Sequence, residues 1–223
     1  MHAASLGAGK RIRSVLAIGA HSDDIEIGCG GTLLHLAEAY PDAELVWVVL
    51  SGDGARAEEA RLSATEFAGG FGSSRIVVRG FRDGFFPYVG GEVKDYFEQL
   101  KGEVSPDLIF THQRADLHQD HRLVSELTWN TFRDHLVLEY EVPKYDGDLG
   151  TPNVFVHLTD AVAKRKVKAI AAHFGTQRDR HWFGEDTFEA LMRLRGMESN
   201  SPSRQAEAFH CRKLVISLEG DGD

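Results

Sequence analysis

The chain has 223 residues, 42% of them apolar and 26% charged, and a formal net charge of −9. Those values fit a soluble globular protein with a sizeable core and argue against nonspecific binding to nucleic acid. Two cysteines and no CxxC pair exclude a cysteine-rich zinc module and point to a reducing, cytoplasmic setting.

In chain order, Met1 to Arg13 lacks the apolar stretch of a signal peptide, and no later run is long enough for a membrane span. Ser14 to Gly19 is the first predicted strand, built on Val15-Leu16-Ala17-Ile18. Gly31 to Tyr40 follows as a helix, with Leu33, Leu34, Leu36 and Ala37 on one face. Leu45 to Leu50 is a strand, Arg56 to Phe71 a helix stopped near Gly69-Gly70, and Arg75 to Val78 a strand. Val93 to Val104 is a helix, Leu108 to Thr111 a strand opened by Pro106, and Arg122 to Phe132 a helix. Val137 to Val142 and Val154 to Leu158 read as strands, Asp160 to Phe174 and Asp186 to Arg195 as helices, and Leu214 to Ser217 as a short last strand. Strand–helix alternation through the first 130 residues predicts an α/β fold, a mostly parallel sheet with helices on both faces. No repeat or Pro/Gly/Ser-rich linker interrupts the chain, so the tail is expected to extend that sheet within a single domain over 1–223.

The chemistry lies just past two of these strands. Ala20-His21-Ser22-Asp23-Asp24 follows the first, with Gly28-Cys29-Gly30-Gly31 close behind. His118-Gln119-Asp120-His121 follows the run Leu108-Ile109-Phe110. Open α/β sheets bind ligands at the carboxyl ends of their strands, and buried carboxylates and imidazoles need partners. Two His and one carboxylate form a zinc-type set with an open position. His21, Asp24 and His121 can ligate, Asp23 can serve as free base, and His118 as acid or oxyanion partner, with Asp120 orienting an imidazole. Plainer readings stand beside this one. Asp120 can cap the helix that begins at Arg122, Asp23 and Asp24 can be solvated turn residues, and close packing explains Gly28, Gly30 and Gly31 as well as phosphate binding does. The other histidines, His112 among them, are read as surface or packed residues.

These two motifs resemble those of the PIG-L/LmbE family of zinc-dependent N-deacetylases. The family's Ala-His-Pro-Asp-Asp and Gly-rich turn match residues 20–31, and its His-x-Asp-His matches His118-Gln119-Asp120-His121. Weaker similarities are Arg56-Ala57-Glu58-Glu59, Phe81-Arg82-Asp83-Gly84 and Ala206-Glu207-Ala208-Phe209, the last placed before the final strand. The resemblance implies a Rossmann-like three-layer sandwich. It implies a metal-dependent amidohydrolase that removes the N-acetyl group from an N-acetylglucosamine-type sugar or glycoconjugate, with zinc, or another divalent ion such as Fe2+, as cofactor. It implies His21, Asp24 and His121 as ligands, Asp23 as general base, His118 as stabiliser of the tetrahedral intermediate with Asp120 as its partner, and Arg56 and Asp83 as sugar contacts. It leaves room for a homo-oligomer. Arg114-Ala115-Asp116-Leu117 lies where relatives vary and is expected to help set substrate choice.

Ser22 departs from the family's proline, which predicts a slightly less rigid site. Two other readings compete. One is a non-catalytic sugar- or nucleotide-binding module of the same fold, which would need neither Asp23 nor His118. The other is a serine hydrolase using Ser22, which lacks a G-x-S-x-G elbow and leaves His121 without a role.

Overall fold

The apolar runs become strands buried on both faces. In the computed structural model, which describes residues 11–215, β1 (Ser14–Gly19), β2 (Glu44–Val49), β3 (Ser73–Val78), β4 (Leu108–His112) and β5 (Leu136–Tyr140) pair in parallel. Near-continuous apolar sequence is what a sheet covered on both faces requires. Alternate side chains separate into two layers. Val15, Ala17, Trp47 and Phe110 face one core, and Leu16, Ile18, Val48 and Ile109 face the other. α1 (Asp24–Ala39), α2 (Gly54–Ala68), α5 (Asp160–His173) and α6 (Glu185–Glu198) supply residues to the first core, and α3 (Gly90–Glu103) and α4 (Gln119–Thr131) to the second.

The tail extends the sheet, as expected. β7 (Ala206–His210) runs antiparallel between β5 and β6 (Val154–His157), giving the order β3-β2-β1-β4-β5-β7-β6. Among the described residues the last strand is therefore Ala206–His210, which lies before the expected Leu214 to Ser217. Leu214 and Val215 are exposed and carry no regular structure, and residues 216 and 217 lie outside the described residues. The strand order reverses between β1 and β4, a topological switch point where neighbouring connections diverge and leave a crevice. No helix among the described residues is long and apolar enough to cross a membrane.

α1 starts seven residues before its predicted beginning, at Asp24, and takes the glycines into its body. Gly28 presses its backbone on the ring of Tyr140, and a methyl group there would fall inside that ring's van der Waals radius. Tyr140 cannot swing aside, because it is fully buried and its hydroxyl donates to the carbonyl of Ile18 at 2.7 Å. Gly28→Ala should therefore lower stability by about 3 kcal/mol in urea denaturation. An unchanged midpoint would mean that Tyr140 has another place to go.

Candidate active site

β1 and β4 lie side by side, with Ala17 opposite Phe110, so the segments leaving their carboxyl ends meet at the switch point. The first delivers His21, Asp23 and Asp24, and the second delivers His112, Asp116, His118, Asp120 and His121. His21 Nδ1 lies 3.1 Å from His121 Nε2 and 3.4 Å from Asp24 Oδ2, and His121 Nε2 is 3.5 Å from Asp24 Oδ1. Donors held tetrahedrally by bonds of about 2.0–2.2 Å stand about 3.3–3.6 Å apart. The three side chains thus stand at about the separation a divalent cation needs, with Asp24 facing each imidazole through a different oxygen. Three overlapping groups converge here: His21, His118 and His121; Asp24, His112 and His121; and His21, Asp83 and Asp120.

The charges fit the same role at Asp24 and His121. Asp24 is buried, which alone would favour its neutral form. Facing His121, His112 and His21 instead holds its carboxyl well below the ordinary value. Burial and the neighbouring His112 push His121 down to about 3, so its ring is neutral. Burial likewise opposes a charge on His21, but Asp24, Asp120 and Asp83 outweigh it and raise that imidazole well above the ordinary value. Anionic carboxylate and neutral imidazole are the forms that ligate, so Asp24 and His121 are ready, whereas His21, surrounded by carboxylates, would release a proton on binding a cation.

Asp23 occupies the N-cap position of α1, yet its side chain caps no backbone amide. Oδ1 accepts from Arg56 Nη2 at 3.2 Å, and Oδ2 is buried without a partner. Burial raises this carboxyl to about 6, with Arg56 restraining the rise. Arg56 thus faces the candidate base. Asp83 reaches His21 Nε2 at 3.0 Å, yet its side chain is 74% exposed at the mouth of the site.

His118 is the N-cap of α4, and its Nδ1 accepts from the amide of Asp120 at 3.3 Å. The neutral ring therefore carries its proton on Nε2. Burial and the neighbouring His21 lower its pKa and favour that neutral form. The Asp120 carboxylate does not orient His118, as the sequence suggests. Its oxygens accept from the amides of Gly84 at 2.7 Å and Phe86 at 3.1 Å, and Oδ2 lies 3.2 Å from His21 Nε2. Asp120 sits inside the first turn of α4, so its side chain turns away from the ring at the cap and toward the loop after β3.

Two site residues escape the sequence reading. His112, at the end of β4, is fully buried, stacks on His121 at 3.8 Å between ring centres, and lies 3.2 Å from Asp24 Oδ2. Its Nε2 also accepts from the amide of Ala20 at 3.0 Å. Asp116 is fully buried. Oδ2 meets His121 Nδ1 at 2.9 Å and Lys144 Nζ at 3.0 Å, and Oδ1 accepts from the amide of His118 at 2.8 Å. A carboxylate on the far nitrogen of a ligating imidazole is the usual second contact of such a ligand. Within 114–117, Asp116 therefore braces His121 and the turn that presents His118. The available signals were a histidine at a strand end and a carboxylate one turn before a candidate ligand. Ser22 is buried, and its hydroxyl donates to the carbonyl of Ser51 at 3.1 Å, an anchor that proline's fixed φ would otherwise supply. Bound to a carbonyl, that hydroxyl is no nucleophile.

A buried imidazole–carboxylate cluster at the switch point of a mostly parallel sheet marks an α/β enzyme. Residues 16–132 match the family described as PIG-L: GlcNAc-PI de-N-acetylase, and the chain belongs to that family of deacetylases. It is 29% identical over 184 residues to the uncharacterized deacetylase YaiS of Escherichia coli K12, covering 78% of this chain and 97% of that protein. Among solved structures, N,N'-diacetylchitobiose deacetylase from Pyrococcus horikoshii superposes with a TM-score of 0.67 at 22% identity, over 90% of this chain and 84% of that one. GalB, the 4-carboxy-2-hydroxymuconate hydratase of Pseudomonas putida KT2440, gives 0.65 at 18% identity, over 93% and 99%. At these identities the two structures share the fold, and a fold hosts more than one reaction.

Glu26, one turn into α1, is buried beside this cluster, and neither carboxyl oxygen has a well-formed hydrogen bond. Burial pushes its pKa up to about 8, and Asp23 and Asp24 add to the rise. A folded-state pKa above the unfolded one means that the native state holds the proton longer. The stability contribution is intact below the ordinary carboxyl range and declines as pH rises toward 8. In chelator-treated protein, Glu26→Gln should gain on the parent chain between pH 5 and pH 8, by about 1.4 kcal/mol per unit at most. Parallel stability curves from urea titrations at the two pH values would contradict this.

Proposed function

We propose that this protein is a metal-dependent N-deacetylase that hydrolyses the 2-acetamido group of an N-acetylglucosamine-type sugar or glycoconjugate, acting as one domain. The observation that carries the reading is the juxtaposition of His21, Asp24 and His121, with contacts of 3.1–3.5 Å, and a buried, unpartnered oxygen on Asp23. His21, Asp24 and His121 would hold zinc or another divalent ion. When bound, such an ion polarises the acetyl carbonyl and acidifies water.

The protein's own groups do the rest. Asp23 Oδ2 accepts the proton of the attacking water, a task suited to a carboxyl near 6. His118 Nε2–H donates to the oxyanion that develops as the carbonyl carbon becomes tetrahedral, where a fixed donor acts most strongly. Asp23 then returns its proton to the leaving nitrogen, the C–N bond breaks, and acetate and a free amine depart. Arg56 holds Asp23 in place, and Asp83 offers an exposed carboxylate to a sugar hydroxyl. A binding module would have no use for an unpaired buried oxygen on Asp23. The sugar itself is inferred from the family description and the chitobiose deacetylase likeness.

Elemental analysis should find one divalent ion per chain, lost in His121→Ala. Asp23→Asn should keep the ion and lose about 10²–10⁴ in turnover. Loss of the ion in Asp23→Asn would exchange the roles of the two aspartates.

The substrate class is tested with a panel of N-acetylated sugars, N-acetylglucosamine and N,N'-diacetylchitobiose among them, scored for acetate and new primary amine in equal amounts. On any sugar turned over, His118→Ala should lower kcat by about 10²–10³ with little change in KM. Water addition to an unsaturated acid, with no acetate released from any sugar, would instead place this chain with the hydratase.

A further inference from the structure

Two charged side chains from outside the family-matched span reach into the body of α1. Glu207, on β7, accepts from the amide of Gly31 at 2.8 Å through Oε1 and from that of Thr32 at 2.6 Å through Oε2. Lys166, on α5, donates to the same Oε1 at 2.6 Å and to the carbonyl of Ile27 at 2.6 Å. Each side chain is only 3% exposed.

Amides inside a helix ordinarily need no side chain, because each meets a carbonyl four residues back. Side-chain acceptors for consecutive amides belong at helix starts. Glu207 therefore acts as a second N-cap inside α1, and Lys166 takes a carbonyl of the turn before it. The first turn of α1 is thus gripped from the tail of the chain. That turn begins at Asp24, and the amide of Ile27 donates to the carbonyl of Asp23 at 3.0 Å. One residue, Ile27, thus links Lys166 to the backbone of the candidate base.

Burying an ion pair is expensive, and apolar residues of the same volume would stabilise the core as well or better. What the pair supplies is a defined position. On the same helix, Gly31 leaves no room for a methyl group against Leu158 and Glu207. We infer that Lys166 and Glu207 are positioning residues for the metal-binding end of α1, setting where Asp23 and Asp24 stand relative to His21 and His121. This rests on the reading of that cluster as a metal site.

The test compares Lys166→Met and Glu207→Gln with the parent chain and with Leu100→Ala, a cavity in the opposite core. Zinc affinity is measured by competition with a chromophoric chelator, alongside the Tm of the metal-free protein and kcat and KM on a sugar the parent turns over. Both site variants should bind zinc about 10–100-fold more weakly, the range for lost supports of metal ligands. Their kcat should fall at least about tenfold, with KM within about twofold. Leu100→Ala, whatever its loss of Tm, should change neither. Unchanged zinc affinity in Glu207→Gln, or an equal loss in Leu100→Ala, would overturn the inference and leave the pair a stability element. A parent chain that binds neither zinc nor another divalent ion such as Fe2+ would overturn the metal reading, and this inference with it. If Lys166→Met fails to fold, Glu207→Gln decides alone, since it keeps the shape and one acceptor.

Discussion

A carboxylate that keeps its charge while buried has to be surrounded, and in this protein the rest of the site follows from surrounding Asp24. Its oxygens face His21, His112 and His121, and one also accepts from the amide of His21 at 2.6 Å. Those partners come from two segments about a hundred residues apart, so they meet only if β1 and β4 are neighbours. Sheet order is therefore a condition of the chemistry. Had the chain inserted a strand between them, each cluster would be left with uncompensated buried charge.

Much of this was legible in the sequence because it is local. Apolar runs at strand length, helical periodicity between them and polar residues at two strand ends depend on near neighbours alone, and the architecture follows from their alternation. What stayed hidden depends on contacts between distant segments. His112 reads as an unremarkable strand residue until α4 folds back and lays His121 on it. Asp120 reads as the partner of its neighbour His118, but helical geometry points it at a loop some thirty-five residues earlier. The glycines of α1 read as a turn, since glycine weakens a helix by about 1 kcal/mol each. Side chains pressed on the backbone from other elements explain their place inside it. β7 is hard to read because Glu207 interrupts an apolar pattern, and the partners that make its charge acceptable inside, Lys166 and the amides of Gly31 and Thr32, lie far away in sequence. Leu214 and Val215 looked more strand-like and are exposed.

Carboxylates also fasten the loops around the site. Asp120 holds the segment at Gly84 and Phe86, while Asp116 holds the turn that presents His118. Asp148 accepts from the amide of Leu117 at 2.7 Å and pairs with Lys144 at 2.6 Å, which ties the loop after β5 to the loop after β4. Glu141 receives Arg195 from α6 through two bonds of 2.8 and 2.9 Å, so this loop is anchored to the tail as well. The site is thus braced by paired charges rather than by apolar packing alone. Such bracing sets position more sharply than it adds stability.

The cap that Glu207 places inside α1 also orders events in time. The ribosome releases Asp23 and Asp24 early, but the residue that grips their helix is made more than 180 residues later. Until β7 has slotted between β5 and β6, the early motif has only its own helix to define it. A nascent chain would thus present loose donors that release a cation as readily as they catch one. On the proposed metal reading, durable loading would wait until β7 is in place.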